Sequence, residues 1–494
     1  MPHSVHVQLR LKDRNNQIHE IWQGRVSLPH PGANPWFAPT GEMLAFPGAE
    51  GFGALSKGGR GGRIIEVTNL NGSGPGSFRA CAGASGPRVC VFRVSGTIEM
   101  LEDLRITAPY LTVAGQTAPG GGITIKTSGG IKIYTHDVIM RYIRVRNVGG
   151  GQPGQGQLNF HIGDGASNNV ILDHCSTSWS FDENIAIHKN QVGSPDMQNI
   201  TVQRCIVAEG LWPHSTGIQM GGEWDLSVSP QIEEYNNVHH ASVHHNLFAH
   251  NSHRNPRVGT PYTEVINNVT YNWYGRIGEV VHETISDFIN NYWKPGPMSQ
   301  PINWYWDNTA GHGGVYLGDI SIYIAGNIIE KRFPDPNADN WPMIQIHYGP
   351  DAGKQVPQTF RRFIPLPKAP MPVTIHSATE AYSSVVADAG ANARLDCRGN
   401  WVPNSDSVDL RILQDVINRT GWDTLPPQSV EEAGGFPTIA SVAPCQDSDH
   451  DGMPDEWEIA HGLNPNGSPT DAWILDLDGV AMLDHFLNGT EPRV

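Results

Sequence analysis

Residues 250–257 read HNSHRNPR, placing Arg254 and Arg257 on either side of an Asn-Pro pair, directly after the strand-like run ASVHHNLFAH. Proline ends a hydrogen-bonded ladder and stiffens its turn, so the two guanidinium groups sit on a rigid corner. Two fixed positive charges make a local anion site, even in a chain whose formal net charge is −16. A second set of chemistry-bearing residues lies near the C-terminus, in DSDHDGMPDEWE. Asp447, Asp449, Asp451, Gly452, Asp455 and Glu458 occupy positions 1, 3, 5, 6, 9 and 12 of a twelve-residue loop, with the carbonyl of Met453 at position 7. That is the EF-hand ligand pattern for Ca2+: side-chain oxygens at 1, 3 and 5, a glycine for the sharp turn and a bidentate Glu at 12. A downstream copy, ILDLDGVAMLDHF, keeps Asp476, Asp478 and Gly479 but has Ile474 and His485 at its ends and is degenerate.

The elements that must position these groups read as all-β. The chain has 494 residues, 38% of them hydrophobic, and Gly 55 with Pro 37 implies many turns and little helix. Short β-rich runs recur through the middle, among them NNVILDHCSTS, QNITVQRCIVAE, ASVHHNLFAHN and TEVINNVTYNW, at roughly 20 to 45 residues. Asparagine returns at matching places: Asn246, Asn268, Asn291 and Asn327. Such strands cannot bury an apolar face alone, but stacked coils can, with asparagines laddering at the bends. This pattern implies a right-handed parallel β-helix; a β-sandwich is the alternative. Residues 1–43 read as a hairpin-like extension or cover, 44–440 as the coils, and 445–494 as an acidic, partly helical calcium-binding tail.

The strong negative charge argues against a nucleic-acid partner, and no apolar run is long enough to span a membrane. No signal peptide is visible, so either a leader has been removed or the chain begins inside a longer gene. Six cysteines permit three disulfides. Cys81 and Cys90 flank the turn-rich AGASGPRV and favour a bond, Cys397 with Cys445 stays open as a second pair, and Cys175 and Cys205 in similar strand contexts suit stacking in a core. Exported, secreted protein is the better reading.

AFPGAEGFGALSKGGRGG, VTNLNGSGPGSFRAC, VFRVSGTIEM, LTVAGQTAPGGGITI, NVILDHCSTSWSFDEN and HHNLFAHNSHRNPR occur in order. Together they resemble the pectate lyases of polysaccharide lyase family one, in its bacterial biomass-degrading branch, from about Ala45 to Lys294 and more weakly to about residue 440. The tail resembles short calcium-binding tails on secreted bacterial carbohydrate-active enzymes, where it would serve stability or attachment. The family resemblance implies β-elimination on 4-linked polygalacturonate. The C5 proton beside a carboxylate is removed, and cations stabilise the enolate-like charge. It implies calcium as cofactor, a pectic polysaccharide as partner, a monomer, and Arg254 as the catalytic arginine. Two accounts of Arg254 stand: a base whose pKa is lowered by neighbouring cations, or a permanent cation beside which water or hydroxide takes the proton. The family's usual partner arginine would fall at Gly259, so that role passes to Arg257.

Asp182, in SWSFDEN, matches a family calcium ligand, and Glu183 stands beside it. A second family acid would fall at Ala186. Upstream, where acids are expected, the chain has Gln155 and Gln157, and the nearest acid is Asp164. The cleft would then gather calcium with the help of substrate carboxylates, or depend on it less, as for methyl-esterified pectin. Lys189 and His214 are candidates for substrate carboxylates or plain surface residues, and Trp212, Trp273 and Trp293 for sugar rings or for packing between loops. Asp173 and His174 read as structural. Three functions follow: a pectate lyase, a lyase for esterified pectin or another polyuronate, and a non-catalytic polysaccharide-binding solenoid.

Overall fold

A strand with one apolar face needs a neighbour, and here each coil supplies it to the next. The structure, a computed structural model, describes residues 34–150, 157–164, 166–189, 195–221, 238–281, 284–300, 320–347 and 350–493, with only the backbone of Ser4–Lys12, Ile18–Ser27 and Trp304–Trp306. Three parallel sheets run along the molecule, and each coil gives one strand to each. Among the described residues sheet A has ten strands, from Arg63–Val67 to Ser321–Ala325; sheet B has nine, from Gly96–Met100 to Ile328–Ile329; sheet C has nine, from Leu104–Ile106 to Ile344–Ile346. This is a parallel β-helix, and parallel pairing of consecutive coils rules out the sandwich. Inward side chains such as Val138, Met140, Val170, Leu172, Val202 and Val243 fill one continuous interior.

The bend from sheet A to sheet B has a repeated chemistry. A left-handed residue comes first: His174, Arg204, His245, Asn267 and Asn290 all have φ between 50° and 55°. The next residue joins a ladder. The Cys175 amide donates to Cys205 Sγ at 3.4 Å and the Cys205 amide to Asn246 Oδ1 at 2.9 Å. Asn246 then donates to Asn268, Asn268 to Asn291, Asn291 to Asn327 and Asn327 to Asn340, at 2.9–3.2 Å. The four expected asparagines therefore stack, the two free buried cysteines open their row, and Asn340 closes it. Cys81–Cys90 and Cys397–Cys445 form disulfides.

The coils end at Ile346, and the chain then turns back along the solenoid. Helix Ala378–Asp388 starts at a capping box between Ser377 and Glu380, and helix Ser407–Asn418 starts at Asp406, whose carboxylate accepts from the amides of Val408 and Asp409. Their apolar faces (Val385, Val408, Ile412, Val416) cover Ile206, Ala208, Leu247 and Val269 of sheet B. Buried Arg146 donates to both Asp406 and Asp409 at 2.8–2.9 Å and ties this return segment to the coils. Residues 34–55 lie on the outer face of sheet A, with Leu44, Phe46 and Ala54 packed on Ile139 and Ile171. The C-terminal segment covers the start of the same face, placing Met453, Trp457, Leu483 and Phe486 on Val89, Val91 and Ala114. Ser4–Lys12 and Ile18–Ser27 pair as the expected antiparallel hairpin.

Candidate active site

The bend from sheet B to sheet C carries a second amide row, and it sets the positions of the candidate residues. Asn159 donates to Asn184 at 2.9 Å, and Asn251 to Asn255 at 3.0 Å. Asn184 also donates to the Thr216 carbonyl at 3.0 Å, joining the coil of Asp182 and Glu183 to that of His214. Arg254 sits next to Asn255 in left-handed backbone, φ 58°, and its carbonyl accepts from the Ile218 amide at 2.7 Å. In successive strands of sheet C, Glu183 is in register with Thr216 and Thr216 with His253, while Arg257 is in register with Gln219 and Glu279. Stacking therefore brings Glu183 to the His253–Arg254 bend and Glu279 beside Arg257.

There the arginines meet acids. The Arg254 guanidinium donates to the Glu183 carboxylate, and both residues are buried. Arg257 Nε lies 3.6 Å from Glu279 Oε2, and Arg276 Nε lies 3.2 Å from Glu279 Oε1. Asp182 Oδ1 is 3.1 Å from His214 Nδ1, and the His214 ring meets that of His253 edge to face at 5.7 Å. Burial, together with Asp182's charge and its hydrogen bond, pushes the Glu183 carboxyl up to about 7 against the opposing pull of Arg254 and His214. Burial, then Arg254, Arg276, His214 and Arg257, hold His253 well below the usual imidazole range, so its ring is neutral.

Arg254, Arg257, Asp182, Glu183 and His214 are thus brought to one bend. Lys189 is not: it lies beyond the far end of strand Glu183–Ile187, buried, with its ammonium 3.5 Å from Asp196, because sheet C carries the chain away from the edge. Trp273 and Trp293, candidates for sugar stacking or for packing, are 1% exposed and belong to the interior. Trp212 is half-buried and packs edge to face on Tyr274. Asp173 and His174 are structural, as expected: Asp173 accepts from Arg141 and Gln203 at 2.7 Å, and His174 stacks on Tyr142. Glu279, Arg276 and His253 were not singled out in the sequence. His253 lies inside the HNSHRNPR motif, and Glu279 falls 22 residues after Arg257, about one coil.

The cleft donor set does not by itself fit calcium, which takes six to eight oxygens. Asp182, Glu183 and His214 each offer a ligand atom within 4.8 Å of the others, but Glu183 is engaged by Arg254, and imidazole is a poor partner for this ion. Gln157 has a buried amide oxygen with no hydrogen-bond partner, and Gln155 lies outside the described residues. The C-terminal loop does fit. Both carboxylate oxygens of Asp449 and Glu458 and one of Asp451 are buried without partners, and Asp447, Asp449 and Asp451 converge within 4.8 Å. Burial and mutual repulsion push Asp451 up to about 8 and Glu458 up to about 7. Asp455 departs from its expected place as a ligand, because its carboxylate accepts from the Ser448 amide and hydroxyl at 2.8 Å. In the degenerate copy, Asp476 accepts from the amides of Asp478 and Val480 and lies 3.0 Å from His485 Nε2, so its carboxylate is engaged within the protein.

No family model matches the chain. It is 33% identical over 458 residues to the probable pectate lyase C of Aspergillus fumigatus, across 91% of this chain and 94% of that protein. This chain belongs to the pectate lyase family. The probable pectate lyase C of Emericella nidulans is 32% identical over 463 residues, 93% of this chain and 96% of its own length. Both relatives are fungal, where the motifs pointed to a bacterial branch. Among solved structures, this pectate lyase is similar to one described for substrate specificity and an anti β-elimination mechanism (TM-score 0.48, 14% identity, 72% of this chain and 99% of that one). It is also similar to pectate lyase II of Xanthomonas campestris (TM-score 0.43, 15% identity, 70% and 98%).

Proposed function

We propose that this pectate lyase is secreted, acts as a monomer and cleaves 4-linked polygalacturonate by β-elimination, with Arg254 and Arg257 facing the acidic sugar. The observation that carries the reading is the cluster of guanidinium groups at the edge of sheet C, Arg254 and Arg257 on one coil and Arg276 on the next, in a chain of net charge −16. Removing the C5 proton leaves charge spread over the neighbouring carboxylate, and a buried, pre-oriented guanidinium is suited to meet it. The Glu183 carboxylate on Arg254 favours its charged form, which supports the second account: Arg254 stabilises the developing charge while water or hydroxide takes the proton. Arg257 binds the same region and is held by Glu279. Among the described residues no helix is long and apolar enough to cross a membrane.

Calcium belongs to two places in this proposal. In the cleft, Asp182 supplies a carboxylate and substrate carboxylates complete the shell, where the ion would neutralise the uronate. In the C-terminal loop Asp447, Asp449, Asp451, the Met453 carbonyl and Glu458 hold it structurally. The test is elimination, followed by ultraviolet absorbance of the unsaturated product, on polygalacturonate and on methyl-esterified pectin, with and without a chelator. Polygalacturonate is the expected better substrate, with a loss on chelation. Higher activity on esterified pectin that survives chelation would favour the lyase for a neutral substrate, and no product from either would remove the reading.

A further inference from the structure

We infer that Glu50, His244 and His245 form a buried site for a first-row divalent transition metal of the zinc class, separate from the cleft and from the C-terminal loop. All three residues are buried, and one ligand atom of each lies within 4.8 Å of the others. They come from distant parts of the chain. Glu50 precedes the turn Phe52–Leu55 on the outer face of sheet A, and His244 ends strand Val238–His244. His245 follows in left-handed backbone, φ 55°, which turns its ring back toward that of His244.

The contacts of the two rings are compatible with a cation between them. His245 Nε2 is 2.9 Å from His376 Nδ1, and His244 Nδ1 is 3.0 Å from His245 Nδ1. If His245 donates from Nε2 to His376, its Nδ1 presents a lone pair to His244. His244 Nε2 is a buried atom without a hydrogen-bond partner. With the proton of His244 on Nε2 as well, both Nδ1 lone pairs face the gap between the rings, where a cation would bind them; without an ion, one Nδ1–H donates to the other. Zinc–imidazole bonds of about 2.0–2.1 Å place tetrahedral ligand nitrogens about 3.3 Å apart, a few tenths of an ångström from the spacing seen.

The outer contacts also match. A metal-bound histidine donates its other ring N–H to a fixed acceptor, as His245 would to His376. Glu50 is oriented by the Thr374 amide at 3.1 Å and the Thr374 hydroxyl at 2.5 Å. Two imidazoles and one carboxylate select zinc, cobalt, nickel or copper over calcium and magnesium. The ion would clamp the covering segment at Glu50 and the return segment at Thr374–His376 onto one coil.

The test uses the full chain, saturated with calcium and stripped of transition metals with phenanthroline, then titrated with Co2+. The expected result is one equivalent bound, with visible absorption bands of a nitrogen–oxygen site and a rise of several degrees in Tm. His245→Gln and Glu50→Gln should each weaken binding at least tenfold, whereas His214→Ala should leave the bands unchanged. If His245→Gln does not fold, Glu50→Gln carries the test, since its amide oxygen can still accept from Thr374. Absence of bands and of a Tm change in folded wild-type protein would overturn the site. So would bands that persist in both variants, or that vanish only in His214→Ala, which would assign the ion to the cleft.

Discussion

At the residue scale, a guanidinium as buried as that of Arg254 has to be matched, and Glu183 matches it. Glu183→Gln should therefore leave the solenoid folded but loosen Arg254. A misplacement of about 1 Å costs roughly a hundredfold in rate, so turnover on polygalacturonate should fall by about that factor, with the far-ultraviolet spectrum unchanged. An unchanged rate would show that Glu183 does not position Arg254. His174 gives a prediction for stability. Burial alone would lower its pKa, but Asp173 and Asp388 hold it up at about 9, against 6.5 for an unhindered imidazole. A folded pKa raised above the unfolded one means stability fully present below about pH 6.5 and lost as pH rises through 9, by up to roughly 3 kcal/mol. Urea unfolding at pH 6 and pH 9.5 should show this difference, and His174→Gln should reduce it. Arg254, Arg257 and Asp182 were legible in the sequence because each lies in a contiguous motif. Glu279 was not, because only coil stacking carries it to Arg257.

At the element scale, the asparagine row does more than punctuate the turns. Buried Asn268 accepts from the amide and the side chain of Asn246 and donates to the Val243 carbonyl and to Asn291. Asn268→Ala should cost roughly 3 kcal/mol, since it leaves several buried backbone and amide groups unpaired at once. Denaturant unfolding measures this; a cost under about 0.5 kcal/mol would mean the row is incidental. The recurrence of Asn246, Asn268, Asn291 and Asn327 made the solenoid readable, because a fixed bend needs the same chemistry in each coil. The return segment was harder to see. Its capping signals, Ser377 with Glu380 and Asp406, are local, whereas its partner is the outer face of sheet B, a surface that exists only once the coils have stacked.

At the scale of the whole molecule, the C-terminal segment is joined to the solenoid rather than hung from it. Arg60 pairs with Asp484 at 2.6 Å, Arg93 lies 3.6 Å from Asp447, and Cys397–Cys445 ties the segment to the return segment. If the loop holds calcium, its binding energy is folding energy for this face. Chelation should lower the Tm of the entire protein by several degrees, and added calcium should restore it; a Tm indifferent to calcium would argue for an empty loop. The central claim, elimination of polygalacturonate through Arg254, is tested most directly by the initial rate of ultraviolet absorbance gain for wild type and Arg254→Lys under the same calcium-containing conditions. Lysine keeps the charge and loses the planar fork. A wild type that forms unsaturated product, beside a variant slower by about a thousandfold with an unchanged melting curve, is the predicted result. A variant within a few-fold of wild type would contradict it.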